Sequence, residues 1–151
     1  MLSPYDTILT FLPEELRGRQ LRPYYIPLTT PAAGLGGAAT VQLTTPLQNV
    51  AAYLLCGIYG RVFTAAAPQT SIGDPGLTLE CRFSAGDDLT FGAVPWSALV
   101  VDQGSPNSAP DGLVIPRLVP GGSNIAITLV NYSGVAVNIR LGLAGINVYS
   151  S

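Results

Sequence analysis

The sequence predicts an all-β protein: an antiparallel β-sandwich of about eight strands, jelly-roll-like, with an extended, partly helical N-terminal arm. Short runs rich in β-branched and aromatic residues alternate with turns rich in Pro, Gly, Asn, Asp and Ser. Within several runs, apolar residues recur at every second position, which places them on one face of a strand. Strands at this spacing are typical of sandwiches and barrels.

The first thirty residues differ from the rest of the chain. Ser3-Pro4-Tyr5-Asp6 predicts a helix start with Ser3 as its N-cap, and Pro13 ends that helix or begins another. Charged residues gather in the segment 14–22, and two prolines make the segment Arg22–Leu28 extended, suited to a sheet edge or a neighbouring subunit. We therefore interpret residues 1–30 as an assembly arm and residues 31–151 as the sandwich domain, with a hinge in the Gly/Ala loop 31–39.

The remaining sequence contains eight predicted strands: Thr40–Thr44, Val50–Phe63, Leu77–Phe83, Leu89–Phe91, Ala98–Val101, Leu113–Val119, Asn124–Val130 and Val135–Tyr149. The last two runs alternate most clearly: the apolar positions are Ile125, Ile127 and Leu129 in one, and Val135, Val137, Ile139, Leu141 and Leu143 in the other. We expect the segment 131–134 to join these two strands as a hairpin loop in which Gly134 has a positive φ.

The composition argues for an assembly subunit and against an enzyme. Apolar residues make up 48% of the chain and charged residues 11%, against about 25% in an average soluble domain. These charges are too few to cover the surface of an ordinary free domain. We therefore expect that partner subunits, or further copies of the chain in a homo-oligomer, cover part of it. The basic residues are all arginine; without histidine or lysine the usual general bases and the commonest metal ligand are missing. We expect no catalysis and no cofactor.

Charge and hydropathy also limit the partners. The net charge of −2 disfavours direct binding to nucleic acid, which needs clustered cations. The most apolar stretch, 50–67, is interrupted by Gly57, Gly60 and Arg61, which fits strands better than a membrane span. The first ten residues contain no basic residue, so we expect no secretion signal there.

Three patterns that suggest chemistry have simpler interpretations. The segment Gly34–Ala39 matches the G-x-G-x-x-A dinucleotide pattern but lacks the flanking strand and helix, so we interpret it as a loop. Asp87, Asp88 and Glu80 offer the carboxylates of a glycosidase or a calcium site, yet the Asp pair is typical of a solvated turn. Cys56 and Cys81 are interpreted as small buried hydrophobic residues, while a single disulfide bridge between them stays open.

The candidate partner-binding residues lie in the arm and at the single tryptophan. Arginine and tyrosine are enriched at protein interfaces, which favours a docking peptide; a solvated charged face and a small nucleic-acid contact are the alternatives. Trp96 suits an interface anchor or a core position, and as a further alternative a sugar-stacking platform. The candidates are Arg17, Arg19, Arg22, Tyr24, Tyr25, Ile26 and Trp96.

The segment 113–131, Leu-Val-Ile-Pro-Arg-Leu-Val-Pro-Gly-Gly-Ser-Asn-Ile-Ala-Ile-Thr-Leu-Val-Asn, feeds a proline-glycine turn into an alternating strand that ends in Asn. With it, residues 40–149 resemble the small β-sandwich and jelly-roll structural proteins of tailed bacteriophage particles, in particular head decoration or cement proteins. The resemblance implies a virion protein that binds the outer capsid lattice, clamps neighbouring major capsid subunits and does no chemistry. The arm departs from compact decoration domains, which leaves a tail, collar or head-fibre role open, and a carbohydrate-binding module is a further alternative.

Overall fold

In a computed structural model, which describes residues 10–30, 34–72, 76–84, 88–90, 92–101 and 116–150, the chain is a β-sandwich of two sheets. This confirms the predicted fold class. All strand pairs are antiparallel except the short pair β3–β7. The described strands are β1 (Leu21–Thr29), β2 (Thr40–Pro46), β3 (Ala52–Thr64), β4 (Ser71–Ile72), β5 (Leu77–Phe83), β6 (Val94–Pro95), β7 (Val100–Val101), β8 (Arg117–Pro120), β9 (Asn124–Asn131) and β10 (Val137–Val148).

The larger sheet is built around β3. Strand β10 pairs with β3 over its whole length, and β1 pairs with the other edge of β10. Strands β8, β7 and β4 follow one another along the remaining edge of β3. The register shifts between Ala144 and Gly145, where Cys56 is an extra residue in β3 and forms a β-bulge.

The smaller sheet has the order β2-β9-β5-β6. Because β9 lies in this sheet and β10 in the other, the segment 131–134 crosses between the sheets, and the predicted hairpin is wrong. The cause is Asn131, whose buried amide donates to the carbonyls of Leu35, Gly36 and Val135 at 2.8–3.2 Å and holds the chain at the turn. Gly134 has no positive φ.

The main core lies between the sheets and explains the alternation in the sequence. Ile125, Ile127 and Leu129 point inwards from β9, and Val137, Ile139, Leu141 and Leu143 point inwards from β10, as predicted. Val135 precedes β10 and is 54% exposed. A second, smaller cluster lies on the outer face of the larger sheet, where Leu12 covers Ala52, Leu54 and Val148.

The separate, partly helical arm expected at residues 1–30 is not supported. Strand β1 adds to the larger sheet of its own chain, with Ile26 and Leu28 in the core. The described helical structure before it is a 3-10 turn at Glu14–Leu16 and a helical residue at Thr10, and Leu12 is 2% exposed in the second cluster. The predicted helix start at 3–6 lies outside the described residues. Apolar side chains thus tie this segment to the sandwich.

The predicted strands Leu77–Phe83 and Asn124–Val130 are confirmed, the second with one further residue. The prediction Ala98–Val101 is half wrong, because Trp96–Leu99 forms one helical turn, α1, before β7. Leu89 and Thr90 are bends, since the Leu89 amide donates to the Cys81 carbonyl and the Thr90 hydroxyl accepts from the Cys81 amide. None of the helices in the described ranges is long and apolar enough to cross a membrane.

Candidate aromatic and arginine binding site

A concave surface lies across β1, β10 and β3 on the outer face of the larger sheet. We call it the aromatic-arginine patch and define it by Tyr25, Tyr59, Arg61, Phe63 and Arg140. Its cavity is about 280 Å³, and its lining also contains Gly60, Leu141 and Gly142. A volume at the lower end of the range for ligand pockets suits one side chain or one sugar ring better than a large cofactor.

The register of β3 and β10 brings the two arginines together. Arg140 lies directly opposite Arg61, with Phe63 opposite Asn138 on one side and Tyr59 opposite Gly142 on the other. Ala65 and Ala136 form a hydrogen-bonded pair, because the Ala65 amide donates to the Ala136 carbonyl. Hydrogen-bonded and non-hydrogen-bonded pairs alternate along an antiparallel ladder, so Arg61 and Arg140 also form a hydrogen-bonded pair. The Cα atoms of such pairs are about 5.5 Å apart, so both guanidinium groups leave the sheet from one small area.

Glycine at position 142 creates the concavity. A Cβ atom there would overlap the Tyr25 ring, so this ring lies against the backbone of β10 instead of standing away from it. Tyr25 nevertheless remains 57% exposed. The patch therefore has an accessible aromatic wall beside the two arginines.

The patch carries an unbalanced positive charge. The Arg140 guanidinium lies 5.2 Å from the centre of the Phe63 ring, a cation–π contact that leaves its N–H edges free. Within the described ranges, neither Arg61 nor Arg140 has a carboxylate within 4.0 Å. Like charges directly opposite each other destabilise a strand pair, so this arrangement costs stability in the chain by itself.

The predicted partner-binding arginines contact other residues of their own chain. Arg22 lies near the start of β1, and Arg17 and Arg19 precede this strand. The Arg17 side chain donates to the Leu12 carbonyl at 3.0 Å, and that of Arg19 to the Glu15 carbonyl at 3.2 Å. Arg22 lies 5.5 Å from the centre of the Tyr149 ring. Since Arg140 pairs with Thr29 at the other end of this strand, these three arginines do not join the patch.

Of the other candidates, only Tyr25 reaches the patch. Tyr24 is half-buried and meets the Tyr53 ring edge-on at 6.3 Å between centroids. Ile26 and Trp96 are core residues, 6% and 2% exposed, so the structure corrects the expectation that they contact a partner. Ile26 faces inwards because the side chains of β1 alternate between the core and the surface, and Ile26 is at a core position. Trp96 faces inwards because α1 places its ring against Gly60 of β3.

The patterns that suggested chemistry can be followed only where the structure describes their residues. Asp87 lies outside the described residues; Glu80 accepts a hydrogen bond of 2.7 Å from Arg82, and Asp88 lies 3.8 Å from the same guanidinium. In the described part of the chain, no group of three His, Cys, Asp or Glu residues could hold a metal ion. The segment 34–39 carries no helix, and a bridge between Leu35 and Val137 joins it to the sandwich; residues 31–33 of the predicted hinge lie outside the described residues.

The two cysteines are free thiols on different sheets, and the interpretation as small buried residues holds for Cys81 but only in part for Cys56. Cys81 is buried, whereas Cys56 is half-buried at the bulge. Burial raises the pKa of both thiols, that of Cys81 to about 12, with Asp88 as the smaller cause. Neither thiol therefore has the lowered pKa of a reactive cysteine.

The sequence-based list missed Tyr59, Arg61, Phe63 and Arg140. A signal for the two arginines exists, because Arg61 is the only charged residue of β3 and Arg140 is the only charged residue of β10. An arginine in such a strand must point away from the core. What the sequence does not contain is the register that sets the two arginines opposite each other.

No protein-family model matches the chain, and no curated protein matches it. Among solved structures, an exo-beta-1,3-galactanase from Phanerochaete chrysosporium aligns with a TM-score of 0.30 and 15% identity, over 85% of this chain and 28% of the enzyme chain. A structure of infectious bursal disease virus, Gt strain, aligns with a TM-score of 0.26 and 12% identity, over 89% and 37% of the two chains. This chain thus spans a minor part of each, and likenesses this weak carry no argument about function.

Proposed function

We propose that this protein is a structural subunit of a virus particle, of the capsid decoration or cement type, which binds the lattice of major capsid subunits. The observation that carries the proposal is a neutral face on the outside of the smaller sheet. Strands β2 and β9 contain no ionisable residue. The neutral face consists of Thr40, Gln42 and Thr44 on β2 and Ala126, Thr128 and Val130 on β9, all exposed or half-buried.

On the same side of the sheet, the neutral face is bordered by Glu80 and Arg82 of β5, which form an ion pair with each other. Within these limits, a surface without charge favours association. Free surfaces of small soluble domains mix both signs of charge, whereas the centres of protein interfaces are depleted of charged residues. Apart from Gln42, the side chains of the neutral face are small, so the face can approach another surface closely. Coverage by a capsid subunit accounts for both features.

A cement protein must hold more than one neighbour, and this sandwich offers two chemically different surfaces. The neutral face lies on the outside of one sheet and the aromatic-arginine patch on the outside of the other. A subunit with contact surfaces on opposite faces can bridge two partners. This supports a clamping role within an assembly.

The proposed role involves no chemistry. The sequence contains no histidine or lysine to act as a base. Glu80 and Asp88, the carboxylates considered for catalysis that the structure describes, flank Arg82. The proposal is therefore a binding role, with the virion as the place where the protein acts.

The test is density-gradient fractionation of the native source material, probed with an antibody against this chain. The chain should sediment with particles, and immunogold labelling should show a regular array on their heads. Recovery of the chain only in the particle-free fractions would contradict the proposal. Label confined to tails, collars or fibres would support the alternative of a tail, collar or head-fibre subunit.

A carbohydrate-binding module is the second candidate, supported by the exposed Tyr25 ring and the small cavity beside it. Aromatic faces stack on sugar rings, and the cavity is large enough for one ring. Trp96 is too deeply buried for this role. Binding to a glycan array that is lost in Tyr25→Ala, together with absence from particles, would favour this function over the first.

A further inference from the structure

We propose that the aromatic-arginine patch binds an acidic segment of a partner protein, with its carboxylates on Arg61 and Arg140. This inference deepens the proposed function, since it names the chemistry of one partner surface. It rests on that function only for the identity of the partner. The binding chemistry itself follows from the patch.

The charge of the patch is complementary to an acidic segment. The chain satisfies Arg82 with two carboxylates, Glu80 and Asp88, although Arg82 lies on an exposed face. Arg61 and Arg140 lie opposite each other and have no such partner among the residues that the structure describes. A bound carboxylate would remove the repulsion between them and accept hydrogen bonds from both guanidinium groups.

The strands of the larger sheet hold the patch in place before a ligand binds. Phe63 supports the Arg140 guanidinium from below at 5.2 Å, and hydrogen-bonded strands fix the separation of the two arginines. Side chains that are already placed lose less conformational entropy when a ligand binds. Arginine also offers a planar, forked set of donors that matches a carboxylate.

Beside the arginines, the patch has room for a second side chain of the ligand. The Tyr25 ring and the cavity of about 280 Å³ beside it provide room for one apolar or aromatic side chain. A segment in which glutamate or aspartate neighbours such a residue would use both parts of the patch. Arginine and tyrosine are also the residues that dominate binding energy at protein interfaces.

Nucleic acid fits the patch less well than an acidic protein segment does. Affinity for a phosphate backbone grows with the number of cations, and this patch holds two on a chain of net charge −2. Stacked bases would need a longer row of aromatic rings than one small cavity accommodates. An oligonucleotide therefore serves as the competing ligand in the test.

The test is a titration of the full chain, followed by amide chemical shifts, with a short peptide in which two glutamates are flanked by tyrosines. Shifts should be confined to β1, β3 and β10 around the patch. The double variant Arg61→Gln/Arg140→Gln should weaken binding at least about tenfold and lower its dependence on salt. Tyr25→Ala should weaken binding without changing the salt dependence.

Controls separate this site from general charge effects. The double variant Arg82→Gln/Arg117→Gln carries the same change in net charge and should bind the peptide as the wild type does. A peptide with glutamine in place of glutamate should not bind. Equal weakening in the two double variants, equal binding of the glutamine peptide, or no binding of the acidic peptide would overturn the proposal.

A single-stranded oligonucleotide of equal charge should bind at least about tenfold more weakly than the peptide, and tighter binding would overturn the proposal in favour of nucleic acid. The proposed virion role is tested separately by the gradient experiment. Particles that carry the protein while the peptide fails to bind would refute only the acidic partner. Peptide binding without particles would refute only the virion role.

Discussion

At the scale of single residues, Asn131 connects the two sheets. Its amide nitrogen donates three hydrogen bonds to main-chain carbonyls, and its oxygen accepts from the amide and hydroxyl of Ser133. The side chain is fully buried. It therefore fixes both the crossing from β9 to β10 and the loop that contains Leu35.

We expect Asn131→Ala to lower the free energy of unfolding by about 2–4 kcal/mol, because it removes the hydrogen bonds of a fully buried amide to three main-chain carbonyls and to Ser133. Urea denaturation measures this change. The matched control is Asn124→Ala at the exposed start of β9, which should cost less than about 0.5 kcal/mol. Equal costs for the two variants would show that the amide network does not hold the crossing.

Cys81 makes stability depend on alkaline pH. Its pKa rises from 9.0 to about 12 through burial, so the unfolded chain releases the thiol proton at a lower pH than the folded chain does. The contribution of this group is complete below about pH 9 and is lost as the pH rises towards 12. Burial raises the pKa of the Tyr53 hydroxyl as well, which acts in the same direction.

Between pH 9 and pH 11, the unfolding free energy should fall less steeply with pH in Cys81→Val than in the wild type. The two slopes should differ by up to about 1.4 kcal/mol per pH unit. Urea denaturation at several pH values gives the two slopes. Parallel slopes would contradict this assignment, whatever the absolute stability of the variant.

At the scale of strands, β1 decides whether the N-terminal segment is separable. Ile26 and Leu28 enter the main core, and all nine residues of β1 pair with β10. Burial of two such side chains contributes roughly 3–6 kcal/mol, against a total stability of about 5–15 kcal/mol for a typical domain. Truncation within the predicted arm therefore removes part of the fold.

A chain that starts at Ala32 should show no cooperative thermal transition. The triple variant Arg17→Ala/Arg19→Ala/Arg22→Ala should keep a cooperative transition, because none of these three residues is buried. Circular dichroism during heating compares the two. A sharp transition in the truncated chain would show that residues 1–30 are an arm that the sandwich does not need for folding. The prediction that the triple variant docks poorly onto particles is separate from this test.

The outer edge of β1 is protected by its prolines. The Thr30 amide donates to the Ile139 carbonyl, so even-numbered residues of β1 face β10 and odd-numbered ones face the free edge. Pro23 and Pro27 are odd-numbered and remove donors from that edge. Prolines at such positions prevent edge-to-edge pairing of sheets.

The variant Pro23→Thr/Pro27→Thr should fold but associate more strongly than the wild type, because it restores two free edge donors. Sedimentation velocity over a range of concentrations measures the association. Thr29→Val changes the same strand without adding a donor and should behave as the wild type. Unchanged association in the proline variant would mean that this edge is blocked by other means.

The sequence predicted strands best where alternation is local. Strands β5 and β9 were placed correctly because their buried and exposed residues alternate within seven or eight positions. The pairing of β1 with β10 joins segments more than a hundred positions apart, and the crossing at Asn131 depends on Leu35 and Gly36. The aromatic-arginine patch could not be predicted for the same reason, because its two arginines are brought together only by the register of β3 and β10.

At the scale of the whole molecule, charge is distributed unevenly over the described surface. The neutral face on β2 and β9 contains no ionisable residue, whereas the aromatic-arginine patch on the opposite sheet is positive. We therefore expect the wild type to associate through the neutral face when no partner covers it. A charge placed on the neutral face should therefore weaken this association.

Gln42→Lys places one positive charge in the middle of the neutral face, and Gln69→Lys places the same charge on an exposed loop. Sedimentation equilibrium should show the wild type and Gln69→Lys as oligomers, and Gln42→Lys shifted towards the monomer, because burying an unpaired lysine in a contact costs free energy. Both variants should melt within a few degrees of the wild type, since Gln42 points away from the core of the sandwich. A wild type that stays monomeric at high concentration, or an equal shift in both lysine variants, would show that the neutral face does not drive association.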